Sequence, residues 1–148
     1  MKNRITLIVA CFYIFGPCGF TQNQEDIQTL SIFSEYVKSK NYDSAYTPWM
    51  ELRQRNPRFN KAIFVYGERI LKDKIKKSTG EEKVNFINDM LALWEERAQY
   101  FSSVTPKGTY MAKACQLRYD NRNALGLDKM QLHSAFSEAY HSDPKTFT

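Results

Sequence analysis

The spacing in the chain that comes nearest to known catalytic chemistry is Glu138-Ala-Tyr-His141. On a helix, a Glu-x-x-His pair places a carboxylate and an imidazole on one face, as in di-iron carboxylate bundles. Such a site needs two of these pairs and two further carboxylates, and the sequence contains no second pair. His133 precedes His141 by eight residues, but no cysteine or suitably spaced acid completes a zinc site. We therefore expect an ordinary surface pair and predict no metal or other cofactor.

The sequence also lacks the arrangements that activate a nucleophile. Two histidines occur, both near the end of the chain, in a region without a nucleophile elbow or a glycine-rich turn. A phosphate-binding glycine loop is missing as well. We predict a protein that is not an enzyme.

The first residues have the pattern of a secretory signal peptide. Lys2 and Arg4 precede an apolar run over residues 5–15, and Gly16-Pro17 ends that run at about half the ~20 apolar residues that a membrane span needs. We predict that residues 1–21 are cleaved and that the protein is exported to the periplasm or cell envelope, without a transmembrane helix.

Cysteine placement leaves a second route to the envelope open. Ile8-Val9-Ala10-Cys11 has the form of a lipobox, although the residues after Cys11 are apolar where a lipoprotein tether is usually polar. A lipid on Cys11, and with it association with the outer membrane, is the alternative to cleavage at residue 21. Cleavage at residue 21 would leave Cys115 without an intramolecular disulfide partner, and its apolar neighbours favour a buried thiol.

The charge of the chain indicates no particular partner. The formal net charge is +5, and it falls once Lys2 and Arg4 leave with the signal peptide. Basic residues crowd two segments, one with Lys72, Lys74, Lys76 and Lys77 and one with Arg53, Arg55 and Arg58. Acidic residues interleave with the lysines, so we interpret both segments as solvated helical faces and predict no nucleic-acid partner. Attraction to an acidic partner surface or an anionic envelope polymer remains an alternative.

The rest of the chain has the periodicity of helices. Apolar residues recur at spacings of three and four, and alternating β-branched runs are few. The first two helices are expected to join at Lys40-Asn41, and later breaks fall at Asn56-Pro57, Ser78-Thr79-Gly80, Thr105-Pro106-Lys107-Gly108 and Asp143-Pro144. Asp128, and Ser78 or Thr79, are expected to cap helices. We predict an all-α domain of about six antiparallel helices over residues 22–148.

One stretch carries a recognisable repeat pattern. Within residues 26–59 the pattern consists of Tyr36, Ala45, Trp49, Leu52 and Pro57. These offsets resemble a tetratricopeptide repeat, whose two helices form a hairpin. Ala45 would let the helices approach closely, while Tyr36 and Trp49 would fill the wedge between them. Pro48 departs from the pattern, because it lacks an amide hydrogen, and it is expected to bend the second helix or delay its first turn.

The resemblance is weaker in the two stretches that follow. Residues 60–104 place Gly67 where the family uses a small residue, but an insertion stretches this repeat. Residues 107–144 place Leu132 where the family has alanine. The chain also resembles the N-terminal part of longer exported tetratricopeptide-repeat proteins of Bacteroidetes. We therefore predict a degenerate tetratricopeptide-like helical repeat, and a portion of a longer repeat protein stays open as an alternative.

The resemblance implies a function. Repeats of this family stack so that their first helices line a concave groove, which generally holds a peptide or a partner helix. The groove positions map onto Ser34, Val37, Lys38, Lys61, Phe64, Glu68 and Lys72. Phe64 is either an exposed aromatic anchor or a core residue. We expect a non-catalytic protein–protein interaction module, and the alternative is a structural envelope subunit that associates with itself.

Overall fold

The computed structural model describes residues 18–148, with side chains from residue 22 onward, and this part of the chain is helical without a strand. Seven α-helices and one short 3-10 turn follow in order: α1 (Cys18–Lys38), α2 (Tyr42–Arg55), α3 (Ala62–Lys77), α4 (Gly80–Tyr100), the 3-10 turn (Ser102–Val104), α5 (Lys107–Asp120), α6 (Arg122–Leu125) and α7 (Lys129–Ser142). The predicted all-α class is confirmed. One helix more than expected is present because the link between α5 and α7 forms the short turn α6.

The structure describes only the end of the predicted export segment. Cys11 and the apolar run of the predicted signal peptide lie outside the described residues, and residues 18–21 of that segment form the start of α1. Between residues 18 and 148, no helix is both long enough and apolar enough to span a bilayer.

Helix boundaries follow local side-chain chemistry. Asn41 precedes α2, and its side-chain oxygen accepts a hydrogen bond from the Ser44 amide at 3.3 Å. Asp128 precedes α7 in a complete capping box, in which Asp128 and Gln131 each accept from the other's backbone amide. Lys40 supplies the reversal between α1 and α2 with a φ of 60°, which is uncommon for a residue with a side chain. The predicted joint and the predicted Asp128 cap are confirmed.

Two local expectations are wrong. Thr79 precedes α4 without a side-chain capping bond, and the Ser78 hydroxyl instead donates to the Lys74 carbonyl at 2.8 Å, which closes the end of α3. Of the two effects expected of Pro48, the delayed first turn is wrong, because α2 begins at Tyr42 and continues to Arg55. A bend at Pro48 stays a prediction. The missing amide of Pro48 leaves the Ser44 carbonyl without its usual intrahelical donor, and the helix accommodates this loss in its interior.

The helices pack as three hairpins in chain order. α1 packs against α2, α3 against α4, and α5 against α7, while α3 also contacts both α1 and α2. The hairpins occupy the ranges predicted as repeats, 26–59, 60–104 and 107–144, and their membership in one repeat family stays a prediction. A polar bond closes the third hairpin, since the Gly108 amide at the start of α5 donates to the Asp143 carboxylate and the Thr146 hydroxyl after α7.

The first two hairpins meet around one tryptophan. Trp49 of α2 is fully buried, and its indole nitrogen donates to the Ile63 carbonyl of α3 at 2.8 Å. A side-chain carbon on Gly67 would lie 2.5 Å from the Trp49 ring, so only glycine fits at this crossing. Ala45 is also fully buried, as the pattern predicts.

The expected role of Tyr36 is wrong. Its side chain is 38% exposed, and Tyr66 of α3 packs instead against Phe33 of α1, edge to face at 6.2 Å between ring centroids. The wedge is therefore filled by an aromatic residue from the next hairpin.

Most of the basic residues that we interpreted as solvated form ion pairs with another helix. Arg53 is buried, which contradicts that interpretation, and its guanidinium contacts Asp89 at 2.6 Å and both carboxylate oxygens of Glu96 at 2.9 Å on α4. Arg55 contacts the fully buried Asp26 of α1 at 2.9 Å. A buried carboxylate or guanidinium is tolerated only when it is paired in this way. The two arginines thus tie α2 to α1 on one side and to α4 on the other.

Because of the contact between Trp49 and Gly67, replacing this helical glycine by alanine is predicted to destabilise the protein, whereas the same change usually stabilises a helix. Gly67→Ala is expected to lower the free energy of unfolding by about 1–3 kcal/mol, because the added carbon overpacks the indole. In an uncrowded helix interior, the same change would stabilise by up to about 1 kcal/mol. Urea unfolding of the two proteins measures the difference.

Trp49→Phe provides the control, since phenylalanine lacks the ring atoms that crowd Gly67. In the Trp49→Phe background, Gly67→Ala is expected to cost little or nothing. Strict additivity of the two changes would show that the crowding at this contact has no energetic weight.

The buried guanidinium predicts a large effect at Arg53. Arg53→Ala should destabilise the protein by about 3 kcal/mol, the low end for breaking a buried ion pair, because the side chains of Asp89 and Glu96 keep 25% and 33% exposure. Lys38→Ala is the matched control, since it removes an ion pair that is exposed to solvent and screened by it, and its effect should be much smaller. Equal effects of the two substitutions in thermal or urea unfolding would contradict the prediction.

Candidate partner-binding surfaces

Three of the seven predicted groove residues are buried, among them Ser34 at 9% exposure. Val37 is 2% exposed and Phe64 is 1% exposed, so the alternative of an exposed Phe64 anchor is wrong and the core alternative holds. The physical cause is the end of α4, where Tyr100 and Phe101 pack on Phe64 at ring-centroid distances of 6.3 and 5.7 Å. The second helix of the hairpin therefore covers a position that the repeat pattern leaves open.

The other four predicted residues are accessible to different degrees. Lys38, Lys61 and Lys72 are exposed and Glu68 is half-buried. The Lys38 amine contacts Glu35 at 2.7 Å, which raises the lysine pKa through their hydrogen bond and charge attraction. Lys61 forms no ion pair with any residue that the structure describes. The structure thus brings Glu68 and Lys72 together and leaves Lys61 at the far end of α3.

Glu68 is the centre of a polar network between three helices. Its carboxylate accepts from Lys72 of α3 at 2.8 Å, from the Trp94 indole of α4 at 3.2 Å and from Lys113 of α5 at 3.4 Å. Burial alone would raise the pKa of Glu68, but these donors and the lysine charges outweigh burial and hold the pKa below its ordinary value. The ionised carboxylate therefore links the second hairpin to the third.

The first helices of the hairpins present one charged surface, which we call the first-helix face. It consists of Lys38 of α1, Glu68 and Lys72 of α3, and Lys113 of α5. Sequence reasoning missed Lys113, because the repeat pattern identified only the second helix of the third hairpin. A lysine on the same helical turn as Tyr110 was the available signal, and the amine does lie over the Tyr110 ring at 4.7 Å.

A second surface lies on another side of α5. The α4–α7 groove, as we call it, has α4 and α7 as walls and α5 as floor, and it encloses about 520 Å³. Its apolar lining includes Trp94 and Ala98 of α4, Met111 and Ala114 of α5, and Ala135 and Ala139 of α7. This volume lies within the ~300–1,000 Å³ range of binding pockets in proteins.

The rim of the groove is charged in a regular pattern. Glu95 lies on the α4 wall and Glu138 on the α7 wall, while Lys107 and Arg118 lie at opposite ends of the α5 floor. Within residues 22–148, none of the four forms an ion pair with another side chain. Sequence reasoning singled out only Glu138, because residues from three helices meet here without a shared spacing.

The residues first considered for chemistry bind local neighbours. Glu138 accepts from the Ser134 hydroxyl at 3.0 Å, and the Nδ1 atom of His141 lies 2.7 Å from the Ser137 carbonyl oxygen. In the described part of the chain, no three potential metal ligands among His, Cys, Asp and Glu gather in one place. Cys115 is buried, as expected, and burial raises the pKa of its thiol against the opposing charge of Arg118.

Comparison with known proteins returned no family model that matches the chain, no similar curated protein and no similar solved structure.

The Glu68 network predicts a pH dependence of stability. Because the folded-state pKa lies below the ordinary value of 4.5, ionised Glu68 stabilises the fold above that pH, and this contribution is lost as the pH falls through the folded pKa. Glu68→Gln should lower the free energy of unfolding at pH 7 by about 1–2 kcal/mol. In this variant, the free energy of unfolding should also fall less than in the parent protein as the pH is lowered.

Urea unfolding at a series of pH values from neutral to acidic measures both effects. Glu35→Gln serves as the control, because Glu35 forms an exposed pair within one helix and its removal should change stability by about 0.5 kcal/mol or less. Parallel stability–pH curves for the parent and Glu68→Gln would contradict the prediction.

Proposed function

We propose that the chain is a non-catalytic protein–protein interaction module of tetratricopeptide-like type, which binds a peptide or a partner helix on its first-helix face. The observation that carries the proposal is the succession of contacts between first helices. α1 contacts α3, and the Glu68–Lys113 pair links α3 to α5. A surface that continues over three hairpins is the kind on which helical repeats hold extended partners.

The chemistry of the face supports a partner with acidic groups. Lys38, Lys72 and Lys113 contribute three positive charges. Each lysine contacts a carboxylate of this chain, and an incoming acidic side chain would bind the same lysine alongside that carboxylate. A fourth cation, Arg69, lies on α3. Its guanidinium is 5.7 Å from the Tyr66 ring centroid. Val37 and Phe64 lie in the core beneath and are not part of the proposed contact.

The proposal places the protein in the periplasm or cell envelope of a bacterium of the Bacteroidetes type. Its support is the sequence: the Lys2 and Arg4 start, the apolar run after it, and the repeat pattern of residues 26–59. Retention at the outer membrane through a lipid on Cys11 is the alternative to free export.

Affinity capture with quantitative mass spectrometry tests the proposal. The full chain, immobilised, is exposed to an envelope extract of the producing cell, alongside the Lys38→Gln/Lys72→Gln variant. Loss of two exposed charge contacts should reduce enrichment of a first-helix-face partner roughly fivefold. Lys76→Gln/Lys145→Gln, which removes the same charge at exposed positions elsewhere, should leave the enrichment unchanged.

Equal loss in both variants, or no enriched protein at all, would contradict the proposed binding face. The competing function, a structural subunit that associates with itself, predicts a concentration-dependent mass in light scattering. A monomer over the accessible concentration range excludes that alternative.

A further inference from the structure

The two charged surfaces differ in one respect that bears on binding. On the first-helix face, Lys38, Lys72 and Lys113 each contact a carboxylate of the chain itself. Around the α4–α7 groove, the charged residues form no ion pair with any described residue. These residues are Glu95, Glu138, Lys107 and Arg118. The groove rim therefore keeps its charge for a partner, above a mostly apolar lining.

The shape of the groove suits a helix. Lys107 and Arg118 are eleven positions apart on α5, which corresponds to about 16 Å, or three helical turns. Alanine lines each wall and the floor, at Ala98, Ala114 and Ala135, and small side chains let a second helix approach closely. Trp94 and Met111 supply larger apolar surface between them.

We propose that the α4–α7 groove binds an amphipathic partner helix of about three turns, with basic residues at its middle and acidic residues near both ends. The apolar stripe of this helix lies on Trp94, Met111 and the alanines. Its central cations face Glu95 and Glu138, one on each wall, and its terminal carboxylates face Lys107 and Arg118. Because the charge pattern is the same from either end, it does not depend on the direction in which the helix binds.

This inference deepens the proposed function by assigning a second partner surface, and it rests on the chain being a protein-binding module. The groove lies on a different side of α5 from Lys113, which contacts α3. Trp94 borders both surfaces, but the residues substituted at the two surfaces differ, so each surface can be tested separately.

Two synthetic helical peptides test the proposal. The first has about 20 residues, because shorter isolated helices are marginal in water. It carries an alanine–leucine stripe, central lysines flanking it and glutamates near both ends. The second exchanges the lysines and glutamates. Fluorescence anisotropy of the labelled peptides gives the dissociation constant for the full chain and for the Glu95→Lys/Glu138→Lys variant.

The parent protein should bind the first peptide about tenfold more tightly than the second, because all four rim contacts change from attraction to repulsion. Glu95→Lys/Glu138→Lys should remove that preference, because each peptide then has two attractive and two repulsive rim contacts. Both glutamates are exposed, so the variant is expected to fold, and unchanged helicity in circular dichroism confirms this. Ala98→Trp, which fills the groove, should weaken both peptides.

Three results would overturn the proposal. Equal affinity of both peptides for both proteins would indicate non-specific apolar binding, and no binding by either peptide would exclude a helix as occupant. A dimer of the full chain that Glu95→Lys/Glu138→Lys dissociates would assign the groove to a second copy. Lys38→Gln/Lys72→Gln should bind the first peptide like the parent protein, so failure of the first-helix face and failure of the groove are distinguishable.

Discussion

The packing of Trp49 against Gly67 is the contact on which the arrangement of the hairpins depends. The indole occupies the space where any other residue would place a side-chain carbon, and its nitrogen satisfies the Ile63 carbonyl. This single crossing sets the distance between the first and second hairpins. The Arg53 ion pairs to α4 depend on that distance, because a guanidinium reaches two carboxylates only when α2 and α4 are held close together.

The third hairpin is joined to the others by partly buried apolar residues, namely Tyr110, Ala114, Leu117 and Leu125, and by one ion pair. The fully buried apolar residues lie mainly in α1 to α4, whereas α5 reaches α3 through Lys113 and Glu68. Trp94 connects the two regions, since its indole donates to Glu68 while its ring lines the α4–α7 groove. The looser apolar packing of α5 and α7 against α4 is what leaves the groove open.

Local chemistry was the part of the fold that the sequence predicted well. The reversal at Lys40-Asn41, the stop at Asn56-Pro57 and the Asp128 cap depend on a few adjacent residues, and the structure has each of them. Ala45 and Trp49 were also identified as packing residues, because they lie four positions apart on α2 and share its buried face. The errors at Tyr36, Arg53 and Phe64 share one cause: a different helix supplies the neighbour that decides whether each side chain is exposed. For Arg53 that helix is α4 of the adjacent hairpin, and for Phe64 it is α4 of the same hairpin.

The sequence by itself determined an all-α chain, most of its helix ends and the glycine at the tightest crossing, because periodicity, capping and side-chain size act over a few residues. Only the tertiary structure decided which charges are neutralised and which stay free. Glu68 acquires its partners from α4 and α5, and Glu95 and Glu138 face one groove from different helices. Those distances depend on how whole helices pack, and no spacing along one helix encodes them.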